Sequence, residues 1–472
     1  MLPRLPAQRH DAAGHAHVDL GAVVALAFPL FVNSSLQAVL NLTDTWFLGR
    51  ISTSALAAVS AVFWPVIVAN LLLGGVSMGV QTVVAQAYGA GAHARAGAAA
   101  RSGVWAAALT VPVYAALAFA GRPLIGLLGL APDVAALAYE YWFPRLVGGP
   151  AGLAAWALTG FFNGIGRTRL TLAISVVAAV ANALFNQVFI FGLGLGVAGS
   201  AWATSAALVV NLGLALWLFG GRTLARDFGA GHGAWRPDPA GIWRMARFGM
   251  PIGLVPAVDL MAMAVFQLMQ VRVGTVEGAA TQIVIQLTSI CFFPAIGIAL
   301  AGTTLVGQSI GAGSSDWARR VGNTCIALAA GYMGSVCVLL AAAGPWLMPQ
   351  FVRAGDAGSA EVVALGVRLL WLAALFQFFD GLNIGSSFCL RGAGDVRRPT
   401  VYLLVIAWLG FVPLAHALTF AAGKGFVDFL PALGHGVIGG WAALIAYVVV
   451  LGTALLMRWR SGAWRRLGTV RA

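Results

Sequence analysis

Three carboxylates, Asp44, Asp259 and Asp380, lie inside long apolar stretches of this chain. An acidic side chain at the centre of a membrane helix costs about 2.5 to 3.5 kcal/mol on insertion scales, so residues of this kind are rarely mere scaffold. A carboxylate in a poor dielectric does not stand charged and alone: it takes up a proton, holds a cation, or hydrogen-bonds to a neighbouring helix. The first two states are reversible and suit ion exchange; the third is the structural alternative for each residue. If Asp259 and Asp380 approach one another, they titrate as one coupled pair.

Polar residues gather around these acids at helical spacings. Asn33, Gln37, Asn41 and Asp44 are spaced 4, 4 and 3 apart and share one helix face, which must look onto protein or a water-filled cavity. Asn182 and Asn186 share another face, with Thr204 in the first turns of the next stretch. Gln282, Gln286 and Ser289 form a third, and Gln377 precedes Asp380, whose face Asn383 and Ser387 continue. Together they suggest the polar lining of a cavity. Trp64, Met263, Phe266 and Phe376 are aromatic and thioether side chains that could receive flat, lipophilic cations. Core packing is the plainer role for each.

Other chemistries are missing. There is no Walker A string, no His-Glu-x-x-His and no Gly-x-Ser-x-Gly, so the chain does not read as an enzyme, and ATP is not its direct energy source. Gly194-Leu-Gly-Val-Ala-Gly199 matches a dinucleotide fingerprint in letters, but no strand precedes it; it reads as a tight hairpin between membrane helices. Cys291, Cys325, Cys337 and Cys389 lie in apolar spans without metal spacing and read as buried thiols. No cofactor is expected, and no metal apart from Na+ as a coupling ion alternative to H+.

The elements that must hold these residues are membrane helices. Of 472 residues 60% are hydrophobic and 9% charged, against about 25% charged in soluble domains. Twelve apolar stretches long enough to cross a bilayer are expected: about 20–48, 55–88, 102–120, 134–162, 170–191, a sixth ending near 219, 242–271, 278–310, 321–343, 362–390, 399–422 and 434–457. The net charge of +13 sits in clusters such as Arg95 and Arg101, Arg167 and Arg169, Arg222 to Arg247, Arg319 and Arg320, and Arg391 to Arg398, and in both termini. That alternation is the positive-inside pattern; it excludes a nucleic-acid partner and places both termini in the cytoplasm of a multi-pass plasma (inner) membrane protein. No cleavable signal peptide is expected before the first helix.

The chain also repeats itself. At an ungapped offset of 222, Pro29 falls on Pro251, Arg50 on Arg272, Gly75 on Gly297, and Gln86-x-x-Gly89-Ala-Gly91 on Gln308-x-x-Gly311-Ala-Gly313. Asp44 answers to Phe266, and Gln37 to Asp259, so the halves share a shape and differ in their acids. The expected fold is an all-α membrane protein, twelve transmembrane helices in two parallel-repeat six-helix lobes around a central cavity. The divisions are a cytoplasmic tail over 1–19, expected to be mobile, an N-lobe over 20–219, a cytoplasmic linker over 220–241, a C-lobe over 242–458 and a basic cytoplasmic tail over 459–472.

Four strings carry a family resemblance: Asp-Thr-Trp-Phe-Leu-Gly-Arg from Asp44, Gln-Ala-Tyr-Gly-Ala-Gly from Gln86, Leu-Arg-Gly-Ala-Gly-Asp from Leu390, and Gly-Leu-Gly-Val-Ala-Gly-Ser-Ala-Trp-Ala-Thr from Gly194. In order, and with the repeat, the chain resembles the multidrug and toxic compound extrusion (MATE) family over residues 20 to 458. The resemblance implies exchange of H+ or Na+ for organic cations. Asp44 stands where prokaryotic members keep their first-helix acid; Asp259, usually Glu in the family, and Asp380 look like the second-lobe cation site of the NorM-like branch. Phe376 replaces an aromatic hydroxyl common there, and Asn186 stands where the DinF-like branch commonly has Asp, so the first-lobe site lacks one acid. The resulting expectation is a secondary antiporter exporting amphipathic organic cations by alternating access, acting as a monomer among membrane lipid. The alternatives are a lipid-linked precursor or polysaccharide flippase, disfavoured by the scarcity of arginines in the spans, and a passive channel, which has no need of titrating carboxylates.

Overall fold

The computed structural model describes residues 5–12, 14–229, 235–352, 358–428 and 430–470. Within them the chain is almost entirely helical, as its composition requires: a backbone in hydrocarbon must satisfy its own hydrogen bonds. The helices are α1 (Leu20–Gly49), α2 (Thr53–Gly89), α3 (His93–Ala108), α4 (Val111–Phe119), α5 (Gly121–Gly126), α6 (Pro132–Val147), α7 (Gly149–Gly164), α8 (Thr168–Asn186) and α9 (Gly196–Phe219). They continue with α10 (Arg222–Phe228), α11 (Pro239–Val273), α12 (Thr275–Gly311), α13 (Ser315–Ala342), α14 (Gly344–Leu347), α15 (Ser359–Gly392), α16 (Arg397–Val405), α17 (Val412–Thr419) and α18 (Gly436–Arg460). Eleven stretches among the described residues are long and apolar enough to cross a membrane. The twelfth, expected over 134–162, is α6 and α7, two 16-residue helices parted at Gly148. A side chain at 148 or 149 would collide with Ser205 or Tyr114, so the chain bends there around a close contact.

Local signals set the ends. Asp19 caps α1, its Oδ1 accepting from the Ala22 N–H at 3.2 Å, and Ser52 caps α2 through the Ala55 N–H at 3.0 Å. Gly91 and Gly313, equivalent in the repeat, leave α2 and α12 at φ +70° and +80°, a backbone state glycine adopts without strain. Two helices loosen into π turns, Gln187–Gly192 after α8 and Ile406–Phe411 between α16 and α17.

Two expectations are corrected. The third span starts at His93 rather than 102, so Arg95 and Arg101 ride on its first turns, and Arg101 donates to the Gly229 carbonyl at 2.7 Å. The described part of the N-terminal tail is a small antiparallel hairpin, Gln8–His10 with Ala16–Val18, braced by Asp11 and His17 at 2.9 Å.

The contacts divide the chain into two compact units, one of residues 1–257, 303–318 and 469–472, the other of 258–302 and 319–468. The division thus falls within α11 and α12 rather than in the linker over 220–241. In unit 1 the reason is glycine: Gly75 of α2 lies against Gly249 and Gly253 of α11 with no room for a side chain. The end of α12 is held in the same way, and reciprocally. A Cβ on Gly89 would run into the Gln308 carbonyl, and one on Gly311 into the Gln86 carbonyl, so the repeated Gln-x-x-Gly strings lie backbone to backbone. Gln81 donates to the Thr304 hydroxyl at 3.0 Å, Thr304 to the Asn163 carbonyl at 3.0 Å and Gln308 to the Gly164 carbonyl at 2.8 Å. Unit 1 buries an apolar core that includes Phe161, Phe162 and Phe219. Unit 2 packs α15 against α18, with a buried ion pair, Arg458 to Asp395 at 2.7 Å. Its four cysteines are buried free thiols, as the sequence suggests.

Candidate functional site

In unit 1, α1, α8 and α9 bring Asp44, Asn182, Asn186 and Thr204 together. The Asn186 amide donates to Asp44 Oδ1 at 2.8 Å and to Asn182 Oδ1 at 3.2 Å. The Asn182 amide in turn donates to the Thr204 hydroxyl at 3.3 Å, and that hydroxyl reaches Asp44 Oδ2 at 3.4 Å and the Ser200 carbonyl at 3.1 Å. Every donor here is neutral, so the carboxylate is solvated by dipoles rather than neutralised. Asn186 is the last residue before the first π turn, the kind of helical irregularity often found at functional sites. Arg145 on α6 stands close enough for its charge to act on Asp44. Its guanidinium carbon is 5.9 Å from the Tyr141 ring centre, and its buried Nε has no partner among the described residues. Arg145 takes part in no ion pair among the described residues.

In unit 2 the site comes from α11, α15 and α18. The Tyr447 hydroxyl donates to Asp259 Oδ1 at 2.6 Å, a length typical of a hydroxyl bonded to a charged oxygen. The Asn383 amide donates to Asp380 Oδ1 at 3.0 Å, and Asp380 is only 7% exposed. The two acids are near enough to influence each other electrostatically. Neither Asp259, Asp380 nor Asp44 takes part in an ion pair among the described residues. The second π turn borders this site as the first borders the other: Phe411, its last residue, stacks on Tyr447 with ring centres 4.8 Å apart. Two carboxylates and a phenol offer oxygen ligands for one proton or one small hard cation.

The remaining sequence candidates separate by burial. Gln377 is buried and donates to the Thr288 carbonyl at 3.0 Å, its own Oε1 having no partner among the described residues. Gln37, Gln282 and Gln286 are exposed, Asn33 is half-buried with an unpartnered Oδ1, and the Asn41 side chain lies outside the described residues. Trp64 is 47% exposed and available for contact; Met263 and Phe376 are half-buried. Phe266 is 1% exposed, wedged between Phe411 and Trp441 at 5.9 and 6.1 Å, and here it is core rather than a contact surface. Sequence reasoning missed Tyr447 and the bearing of Arg145 on Asp44. The available signal for the first was a single phenol in the apolar middle of α18.

The MatE family profile matches residues 29–188 and 251–415, two segments whose starts are offset as the internal repeat is. The chain belongs to the MatE family. It is 33% identical to the probable multidrug resistance protein NorM of Pseudomonas aeruginosa over 94% of this chain and 90% of that one. The protein of the same name from Agrobacterium fabrum is 29% identical over 92% of each. Among solved structures, a MATE protein in complex with MaD3S superposes with TM-score 0.79 at 20% identity, covering 93% of this chain and 95% of that one. A MOP superfamily transporter from Pyrococcus furiosus, described as having a binding pocket of reverse polarity, gives 0.80 at 21%, covering 93% and 94%. These likenesses establish the MatE fold: a multi-pass, non-enzymatic membrane transport protein.

Proposed function

We propose that the chain is a multidrug efflux transporter of the plasma (inner) membrane, a secondary antiporter that exports amphipathic organic cations against inward flow of H+ or Na+ by alternating access. The relatives named as multidrug resistance proteins support the substrate class. The observation that carries the ion coupling is the unit 2 centre: two acids, one of them 7% exposed, bonded to neutral donors and to no fixed base. Acids in that state can gain and lose a cation within a cycle, whereas acids locked to arginine cannot. The basic connections support an orientation with both termini cytoplasmic, and within unit 1 the exposed Trp64 offers aromatic surface for a flat cation.

Proteoliposomes with a pH gradient and a Na+ gradient imposed separately test this reading. Export of a fluorescent lipophilic cation driven by one gradient, and collapsed by the matching ionophore, is the expected result. Uptake indifferent to both gradients would overturn the antiport.

A further inference from the structure

The starts of α1 and α8 flank an open cavity of about 480 Å³ that belongs to neither carboxylate centre. One wall is apolar, made by Ala22, Ala25 and Leu26; the other carries Arg167, Thr168 and Arg169 in sequence. Both arginines are exposed and make no ion pair among the described residues. Thr168 is 2% exposed and lines the cavity. The first turn of α8 lacks a side-chain cap, so its N–H groups add positive potential at the same point. The nearest acid along the chain, Asp19, is engaged at the Ala22 N–H.

We propose that this cavity seats an anionic phospholipid of the cytoplasmic leaflet. Its phosphate lies between the two guanidinium groups with the Thr168 hydroxyl as third donor, and its first acyl carbons run along the Ala22, Ala25 and Leu26 wall. The chemistry is that of a basic pocket between membrane helices on the positive-inside face. The apolar wall selects a lipid over a free anion, for which it offers nothing. The inference rests on the orientation proposed above and not on the ion coupling; a failure of either leaves the other readable.

The test uses the full-length protein in nanodiscs of phosphatidylcholine with a minor share of phosphatidylglycerol, read by native mass spectrometry as retained lipid adducts. In the double variant Arg167→Gln/Arg169→Gln, phosphatidylglycerol adducts fall about fivefold or more, while Arg397→Gln/Arg398→Gln, which removes equal charge elsewhere, keeps them. Thr168→Val, nearly isosteric, lowers retention without altering yield, which guards against a folding defect in the double variant. Equal losses in both arginine pairs would overturn the proposal. So would thermal protection by inorganic phosphate in pure phosphatidylcholine matching that by phosphatidylglycerol.

Discussion

Asp44 and Phe266 occupy the same place in the internal repeat, as do Gln37 and Asp259, and the surroundings have diverged with them. In unit 1 the position nearer the end of the helix holds an acid in a nest of two amides and a hydroxyl, with an arginine in electrostatic range. In unit 2 the equivalent position is filled by a phenylalanine in an aromatic cluster. The acid there stands two helical turns earlier, bonded to Tyr447, with a second acid and no arginine acting on it. Duplication preserved the scaffold, π turns included, while the charge moved. The lesson is one of balance: the acid of unit 1 has an arginine in electrostatic range though no ion pair with it, whereas no arginine acts on the acids of unit 2.

That contrast breaks first under removal of the acids. Asp259→Asn and Asp380→Asn each abolish gradient-driven dye export in proteoliposomes, with folded protein still recovered from the membrane, whereas Asp44→Asn slows turnover and leaves export measurable. Equal loss in all three would erase the distinction. Tyr447→Phe comes next. Removing a hydrogen bond to a charged group costs about 1.5 to 3 kcal/mol, so turnover drops about tenfold or more and the coupling-ion concentration for half-maximal export changes with it; an unaltered ion dependence would reduce the contact to packing. Arg145→Gln has the smallest effect, of order 1 kcal/mol and a few-fold in rate. It sharpens the comparison by making export depend more strongly on the ion supplied, and if the dependence is unmoved, Arg145 does not balance Asp44.

Much of this architecture was legible in the chain because its signals are local. Prolines, Gly-Ala-Gly helix ends and apolar run lengths announced the helices, and the spacing of Asn182 and Asn186 announced that both would face one way. The link from Tyr447 to Asp259 spans 188 positions, and no periodicity within α18 points to a partner on α11. The bend at Gly148 was hidden for a similar reason: the obstruction is the Ser205 and Tyr114 side chains from other helices. The early start of α3 escaped because Gly and Arg beside the apolar run read as a turn, although arginine and alanine are good helix formers. An aromatic at helical spacing looks the same whether it meets a ligand or Trp441, so the sequence left Phe266 both roles, and packing, the plainer one, is what the structure shows.

The interlocked Gln-x-x-Gly strings carry a consequence of their own. Gly89 rests on the backbone of Gln308 while Gly311 rests on that of Gln86, so the joint is a dovetail cut from two copies of one pattern. Neither position has room for a side chain, so even an alanine at Gly89 or Gly311 would push α2 and the tail of α12 apart along the whole seam.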